Sequence, residues 1–327
     1  MTARRVAVVG AGMAGVSAAV ALAAHGLEVT VLDRGHRTGG RMATRTLRGT
    51  GLPYDGRVVD VGAAYITAQD PGFRDVVESW AARGLAREWT DTFHVSDPDG
   101  PRGVVTGPMR YAAPAGMRSL VEDLAADLPL VVYPHEVETV ERFADGARVD
   151  GEPFDAVVLA MPGPQAADLL AADDPAAVEL ARQRWEPALT LVAAYDERCW
   201  HAFDGMFVNE SVVLAFIADD GRRRGDDAPV LVAHSAPVLA AAHLDDPASA
   251  APALLEALEH AVGATGKPSW FDVRRWSLAR PREPHPAWCS FDGVVGLCGD
   301  GWGDVSRVET AWRSGQELGR LMAVRLA

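Results

Sequence analysis

The sequence predicts an α/β protein in which a Rossmann-like nucleotide-binding domain is interleaved with a smaller α+β domain. Three observations carry this. The chain opens with a strand–turn–helix–strand unit whose turn is 10-GAGMAG-15. From about 163 to 285 its character changes, and short helices alternate with strands. A second glycine-rich turn, 299-GDGWG-303, then returns between a short apolar strand and a last helix.

The elements follow in order. The run 4-RRVAVVG-10 is continuous and β-branched, as a buried parallel strand is. The alanine-rich 13-MAGVSAAVALAAHG-26 reads as a helix that Gly26 terminates. With 28-EVTVLDR-34 as the next strand, the right-handed crossover makes the two strands parallel neighbours. An Arg/Gly loop, 37-RTGGRMATR-45, precedes 58-VVDVGAAYIT-67. Asp70 as N-cap, Pro71 and a final Gly84 delimit a helix. A helix over 117–128 and a short strand over 129–133 come next. The segment 137-VETVERFADGARVDG-151 predicts a hairpin turning at Asp145-Gly146, and 155-DAVVLAMP-162 an apolar strand. Further on, helices are expected over 165–171, 175–184 and 248–263, and strands over 188–196, 212–218, 229–235 and 270–278. The charged run 219-DDGRRRGDD-227 reads as a solvated hairpin end. The expected division is 1–70, 103–162 and 285–327 for the nucleotide domain, and 71–102 and 163–284 for the other.

Bulk properties narrow the partners. The 327 residues carry a net charge of −14, which disfavours nucleic acid or an anionic membrane as partner. No apolar run reaches the ~18 residues of a membrane span. Cys199, Cys289 and Cys298 have no paired or metal-binding spacing and read as reduced core thiols; no metal is expected. The chain begins directly on a strand with no signal peptide, so the expected location is cytoplasmic.

The first glycine motif assigns roles. Gly10 permits the tight turn, Gly12 the approach of a pyrophosphate, and Gly15 close helix–strand packing. The helix N-terminus then faces the phosphates. Asp33, at the end of the next strand, is placed to take ribose hydroxyls.

The loop 33-DRGHRTGGRMAT-44 resembles the second glycine motif of the FAD-binding amine oxidase superfamily. The segments 37-RTGGRMATR-45, 60-DVGAAYITAQDPGFRDVV-77, 232-VAHSAPVLAAAHLDDP-247, 275-RWSLARP-281 and 299-GDGWGDVSRVETAWRSGQELG-319 more narrowly resemble the bacterial branch of the renalase family, in family order and over nearly the whole chain. The resemblance implies a p-hydroxybenzoate hydroxylase-like arrangement of an FAD-binding domain and a substrate domain, with non-covalent FAD. It places Arg41 at the diphosphate, Gly40 where the backbone comes near, Val137 at the adenine through its main chain, Asp300 at the ribityl chain, and Val308 at the flavin through its main chain. Met13, Ala14, Arg34, Met42, Ala63 and Ala64 complete the implied cofactor positions.

The resemblance also implies a reaction: oxidation of 2- and 6-dihydro isomers of NAD(P) to NAD(P)+ by hydride transfer to flavin N5, with O2 reduced to H2O2, as metabolite repair. Tyr65, Phe216, Trp276 and Trp302 are the aromatic candidates for holding a flat substrate, and no protein acid or base is identified. The arginines of 222-RRR-224 are an alternative contact for a dinucleotide phosphate, and His234 and His243 read as structural. Four departures bear on the substrate: Ala64 where the family has glutamine, Phe216 where it has tryptophan, 221-GRRRG-225 in place of a Ser-Lys-Pro-Gly-Arg-like ending, and Leu278 in place of tyrosine. They keep open an amine oxidase or desaturase of a small metabolite, and beyond it a flavin-dependent isomerase or a flavin-binding module. Lys267 is the only lysine and lies in a turn rich in breakers, which disfavours a lysine-assisted amine oxidase.

Overall fold

The structure is a computed structural model that describes residues 3–132 and 134–327; Tyr133, expected to end the strand over 129–133, lies outside the described residues. The chain divides into two compact units, Met1–Met42 with Arg118–Trp185 and Arg280–Ala327, and Ala43–Met117 with Glu186–Ala279. The expected division differs from this in four places. Residues 43–70 and 103–117 belong to the second unit, and 163–185 and 280–284 to the first. The strand Gly100–Ala112 explains the second difference: it pairs antiparallel with Arg87–Asp97 along its length, so no boundary falls at 102/103.

The first unit is built on a six-stranded sheet. From one edge its strands are Ser290–Phe291, Val295–Leu297, Ala156–Leu159, Arg5–Val9, Glu28–Leu32 and Val131–Val132. Arg5–Val9 lies parallel between Glu28–Leu32 and Ala156–Leu159. Both of its faces are covered, which is why it reads as an unbroken apolar run. On one side the helix Met13–Ala24 packs on the last helix, Val308–Leu326. Small residues set their closeness: a Cβ on Gly315 would stand 2.1 Å from the Ala14 carbonyl oxygen, and one on Gly319 2.5 Å from Ala21 Cβ. Another core of this unit joins Val9, Leu159 and Leu297 to Val149, Phe154 and Leu180.

The hairpin forms, with a third strand added: Val140–Phe143, Gly146–Val149 and Glu152–Phe154. Its turn is Ala144-Asp145, because Phe143 and Gly146 already pair. Gly146 is needed for closeness rather than for the turn, since a Cβ there would meet the Phe154 carbonyl oxygen at 2.4 Å.

The second unit holds a seven-stranded sheet, in the order Trp270–Pro281, Trp185–Ala194, Val230–Ser235, Leu214–Asp219, Gly205–Val208, Arg87–Asp97, Gly100–Ala112. Alternation along the strands gives it two apolar faces. Leu191, Ile217 and Leu231 pack under Leu254 and Leu258 of the helix Ala251–Val262. Val192, Val230 and Val232 face the other way, towards Leu47, Val59 and Val61. The helix Pro71–Ala82 has the expected cap: Asp70 accepts from the Phe73 N–H at 3.1 Å.

The segment 219–227 is not a solvated hairpin end. It contains the short helix Asp220–Arg224, in which Asp220, Arg223 and Arg224 are buried. The reason is tertiary. The Asp220 carboxylate accepts from Arg57, from Arg223 and from Arg224 Nε at 3.1 Å. Arg224 Nη2 donates to Asp60 at 2.7 Å, and Asp60 also accepts from the Met117 N–H at 2.7 Å and the Thr44 hydroxyl at 2.9 Å. Arg222 pairs with Asp204 at 2.9 Å. All three arginines therefore have protein carboxylates and are not a phosphate-binding run.

Among the described residues no helix is long and apolar enough to cross a membrane. Of the three cysteines only Cys298 is a core thiol; Cys199 and Cys289 are partly exposed, and none is in a disulfide.

Candidate cofactor and substrate sites

The cofactor site of the first unit starts from its glycines. Gly10 has φ +105°, and its N–H donates to the Leu32 carbonyl at 2.8 Å. A Cβ on Gly15 would stand 1.8 Å from the Gly10 carbonyl oxygen, so only glycine lets the helix come this close. Gly12 differs: a Cβ there meets nothing within 4 Å, and Gly12 caps the helix Met13–Ala24 without a side-chain hydrogen bond. Open space lies before a helix N-terminus whose first amides lack a capping side chain, which suits a pyrophosphate. Met13 and Ala14 are buried in that first turn.

The second glycine loop closes on the first. Gly39 donates to the Ala11 carbonyl at 2.8 Å, and a Cβ on Gly40 (φ +50°) would meet Gly12 Cα at 3.3 Å. Met42 ends this turn in the core. Thr38 Oγ1, in the same loop, is enclosed and has no partner. Asp33 holds the assembly shut. One carboxylate oxygen accepts from the Ala11 N–H and the other from the Gly35 N–H, both at 2.7 Å. Each oxygen keeps a second lone pair for a ribose hydroxyl. Arg34 is exposed, 3.8 Å from Glu136. The Asp33 carbonyl accepts from the His135 N–H at 2.7 Å and so leads the chain to Val137, which is buried.

Arg41 and Asp300, expected at the diphosphate and at the adjoining ribityl chain, meet each other. Arg41 Nη1 donates to Asp300 at 2.9 Å across 259 residues of sequence, and Asp300 also accepts from Ser306 Oγ at 2.6 Å. The Arg41 guanidinium lies 5.0 Å from the Trp185 ring. Beside them the indole Nε1 of Trp185 and the Nε2 of Gln183 are enclosed and without partners. Sequence reasoning missed Thr38, Gln183 and Trp185: an unpaired donor is visible only after folding. The last helix begins at Val308, and its cap residue Arg307 makes no side-chain cap hydrogen bond. The first unit thus presents two helix N-termini without side-chain caps, a glycine cradle and unsatisfied enclosed polar atoms. These residues fit FAD. Trp302 is buried in this unit. It lies in the core with Leu180 and Leu297, its ring 4.6 Å from that of His285.

The substrate candidates of the second unit separate. Tyr65 and Phe216 come together, with ring centroids 5.9 Å apart, around Phe93 at 5.3 and 5.4 Å. Trp89 and Phe207 extend this aromatic bed, and Ala64 borders it. Ala63 precedes it in the chain, and the Ala64 carbonyl accepts from Arg223 Nη1 at 3.0 Å, so the ion network anchors the segment. Trp276 sits elsewhere in the unit, against the cluster of Leu47 and Val59, donating to the Val61 carbonyl at 2.8 Å. Arg110 covers the bed, its guanidinium 3.8 Å from the Phe93 ring centroid. Trp89, Phe93 and Arg110 lie in a stretch whose strands carry no motif, so no sequence signal singled them out.

His234 is more than a core histidine. Its ring lies 6.1 Å from that of Phe216, and its Nε2 is enclosed without a partner. Burial, then the charge of Arg223, pushes its pKa down to about 4. The unfolded chain takes up this proton near 6.5, and the folded one only near 4. His234 therefore lowers stability progressively as pH falls from about 6.5 to about 4, by a total on the order of 3 kcal/mol. Urea unfolding across that range is expected to show this slope, and His234→Gln to flatten it. An unchanged slope in the variant would assign the acid sensitivity elsewhere. His243, by contrast, bonds Ser249 Oγ at 2.7 Å on the surface. Among the described residues no cluster of His, Cys, Asp or Glu is placed to hold a metal.

Comparison with known proteins places this geometry. A family model described as an NAD(P)-binding Rossmann-like domain matches residues 8–80. A second, described as flavin containing amine oxidoreductase, matches residues 90–316, more than half of the chain. Putrescine oxidase of Kocuria rosea is 34% identical over 119 residues, 36% of this chain and 23% of its own length. Among solved structures, a candidate protoporphyrinogen oxidase from Exiguobacterium sp. 255-15 superposes with a TM-score of 0.78 at 16% identity, covering 99% of both chains. Cyclohexylamine oxidase from Brevibacterium oxydans IH-35A superposes with a TM-score of 0.74 at 16% identity, over 99% of this chain and 100% of its own. At these identities the superpositions establish the fold.

Proposed function

The chain belongs to the flavin containing amine oxidoreductase family and is an FAD-dependent oxidoreductase, and we propose that it oxidises 2- and 6-dihydro isomers of NAD(P) to NAD(P)+. In this reading the donor loses two electrons and dioxygen gains them, with one proton taken up, to leave as hydrogen peroxide. FAD, when bound, supplies the two-electron acceptor that dioxygen reoxidises. Gly12 and the first helix N-terminus hold the diphosphate, Asp33 the ribose, the Val137 main chain the adenine, and Asp300 and the Val308 end of the last helix the redox end.

The observation that carries the substrate is the aromatic bed of Tyr65, Phe93 and Phe216 together with the ionisable groups that touch it. Those are Arg110 and a neutral His234. A dihydropyridine is flat and uncharged at its reacting ring, and its oxidation makes it aromatic without removal of a proton by a base. The bed's work is to orient that ring and exclude water. A protonated amine would instead meet the positive charge of Arg110 and would need a base. Lys267 does not supply one: it is 81% exposed and paired with Glu259.

The partial identity to putrescine oxidase supports a second reading, an amine oxidase or desaturase of a small metabolite. Anaerobic mixing separates the two. Rapid bleaching of the flavin by 6-dihydroNAD, with slow or no bleaching by ordinary NADH and by a panel of amines, is the expected result. Bleaching by an amine alone would replace the first reading with the second.

A further inference from the structure

We propose that Arg110 and Trp89 form an anion subsite on the aromatic bed of the second unit, and that the substrate carries a phosphate or carboxylate there. The inference rests on the oxidase reading only in taking this bed as the substrate side.

Arg110 is only 5% exposed. The other two arginines buried to this degree, Arg223 and Arg224, are both satisfied by Asp220 and Asp60. Arg110 has no such partner: among the described residues no carboxylate pairs with it, and its Nη1 is enclosed without a hydrogen bond. Stacking does not replace one. The guanidinium carbon lies 3.8 Å from the Phe93 centroid and 5.8 Å from that of Tyr65. An aromatic ring offers no oxygen or nitrogen acceptor, so the five N–H groups still need acceptors. A buried cation left in this state is costly unless something else completes it.

Trp89 repeats the pattern. Its ring lies 5.1 Å from Phe93, and its Nε1 is also enclosed and unpartnered. Both groups can only donate. Two donor-only side chains on one apolar bed are complemented by a ligand that brings acceptor oxygens, and a planar fork is matched best by a phosphate or carboxylate. A diamine brings donors and positive charge, and finds no acceptor in either. The bed thus selects for a flat donor bearing an anion and against a cationic one. Arg110 lies on the strand Gly100–Ala112 opposite Thr90, and Trp89 is the extra residue where the partner strand shifts register between Glu88 and Thr90, which breaks the strict alternation of faces there.

The test is calorimetric titration of the FAD-loaded protein with inorganic pyrophosphate, with benzoate and with 1,4-diaminobutane. Binding of at least one anion and not of the diamine is expected, and which anion binds identifies the phosphate or the carboxylate as the source. Arg110→Gln is expected to weaken that anion at least tenfold, whereas Arg222→Gln, at an exposed arginine, leaves it unchanged. If Arg110→Gln does not retain FAD, Arg110→Lys carries the test: it keeps the charge but loses the fork, and at least a threefold weakening is expected. Tighter binding of the diamine, no anion binding, or anion affinity indifferent to Arg110 overturns the subsite. None of these readouts needs turnover. Anion binding that depends on Arg110 in a protein that 6-dihydroNAD does not reduce would overturn the oxidase reading and leave the subsite standing.

Discussion

Replacing Asp220 by asparagine is expected to lower the unfolding free energy by about 3–5 kcal/mol. Asparagine keeps the shape, so the loss measures charge. Asp220 is fully buried and accepts from three guanidiniums, those of Arg57, Arg223 and Arg224. Without its charge, Arg223 and Arg224 remain buried with Asp60 as their sole carboxylate. Burial alone would raise the Asp220 pKa, but the charges of Arg223, Arg224 and Arg57 override it and hold the carboxyl well below its usual range. The sign follows: its stabilisation is complete above the ordinary carboxylate pKa of about 4 and is lost only as pH falls further, through the depressed value. The Asp220→Asn variant should therefore keep the His234-dependent slope between pH 6.5 and 4 while sitting lower at every pH. Urea unfolding at several pH values checks both. A variant within about 1 kcal/mol of wild type would mean that the network contributes little.

The second large effect separates two glycines of one motif. Gly15→Ala is expected to disrupt the turn itself, since its Cβ would stand 1.8 Å from the Gly10 carbonyl oxygen and 3.1 Å from Ala160 Cβ. This variant should purify colourless and less stable. Gly12→Val places its side chain in open space, at a backbone φ of −81° that any residue adopts. Its FAD-free form should melt like the wild-type one, while FAD affinity falls by about a hundredfold, or about 2.7 kcal/mol. Absorbance of bound flavin and titration of the FAD-free protein read these out. If Gly12→Val binds FAD normally, the space before the first helix is not the diphosphate site.

Much of the fold was legible in local pattern. The turn 10–15 and the Asp70 cap depend on residues within a few positions, and they form as read. The same holds for the apolar strands of the first sheet. The hairpin shows the limit at short range: 145-DG-146 is a strong turn signal, yet Gly146 answers to the third strand at Phe154 and the turn moves one residue back.

The sites were legible to different degrees for a physical reason. Gly10, Gly12, Gly15 and Asp33 belong to one continuous unit, so spacing alone locates them. Arg41 and Asp300 were each assigned a separate contact, and folding also pairs them with each other across 259 residues. Trp302 and Tyr65 were both candidates as aromatic residues. The first packs with Leu180 and Leu297, and the second with Phe93 and Phe216. Composition cannot tell these settings apart, because an aromatic ring is equally apolar in either place.

By itself the sequence determined the nucleotide-binding turn, the parallel strands around it and the interleaved plan, because each of these is written in short-range periodicity or glycine placement; the flavin class followed from the family resemblance that the motifs carry. The tertiary structure alone decided that 219–227 goes inside, where the two units divide, and which polar groups are left without partners. Hydropathy counts a charged run as solvated because water is the cheapest place for a charge. That rule fails when carboxylates distant in sequence, such as Asp60 for Arg224, arrive to replace the water. Arg110 is the reverse case, visible only after folding: it is buried like Arg224, and among the described residues no carboxylate pairs with it.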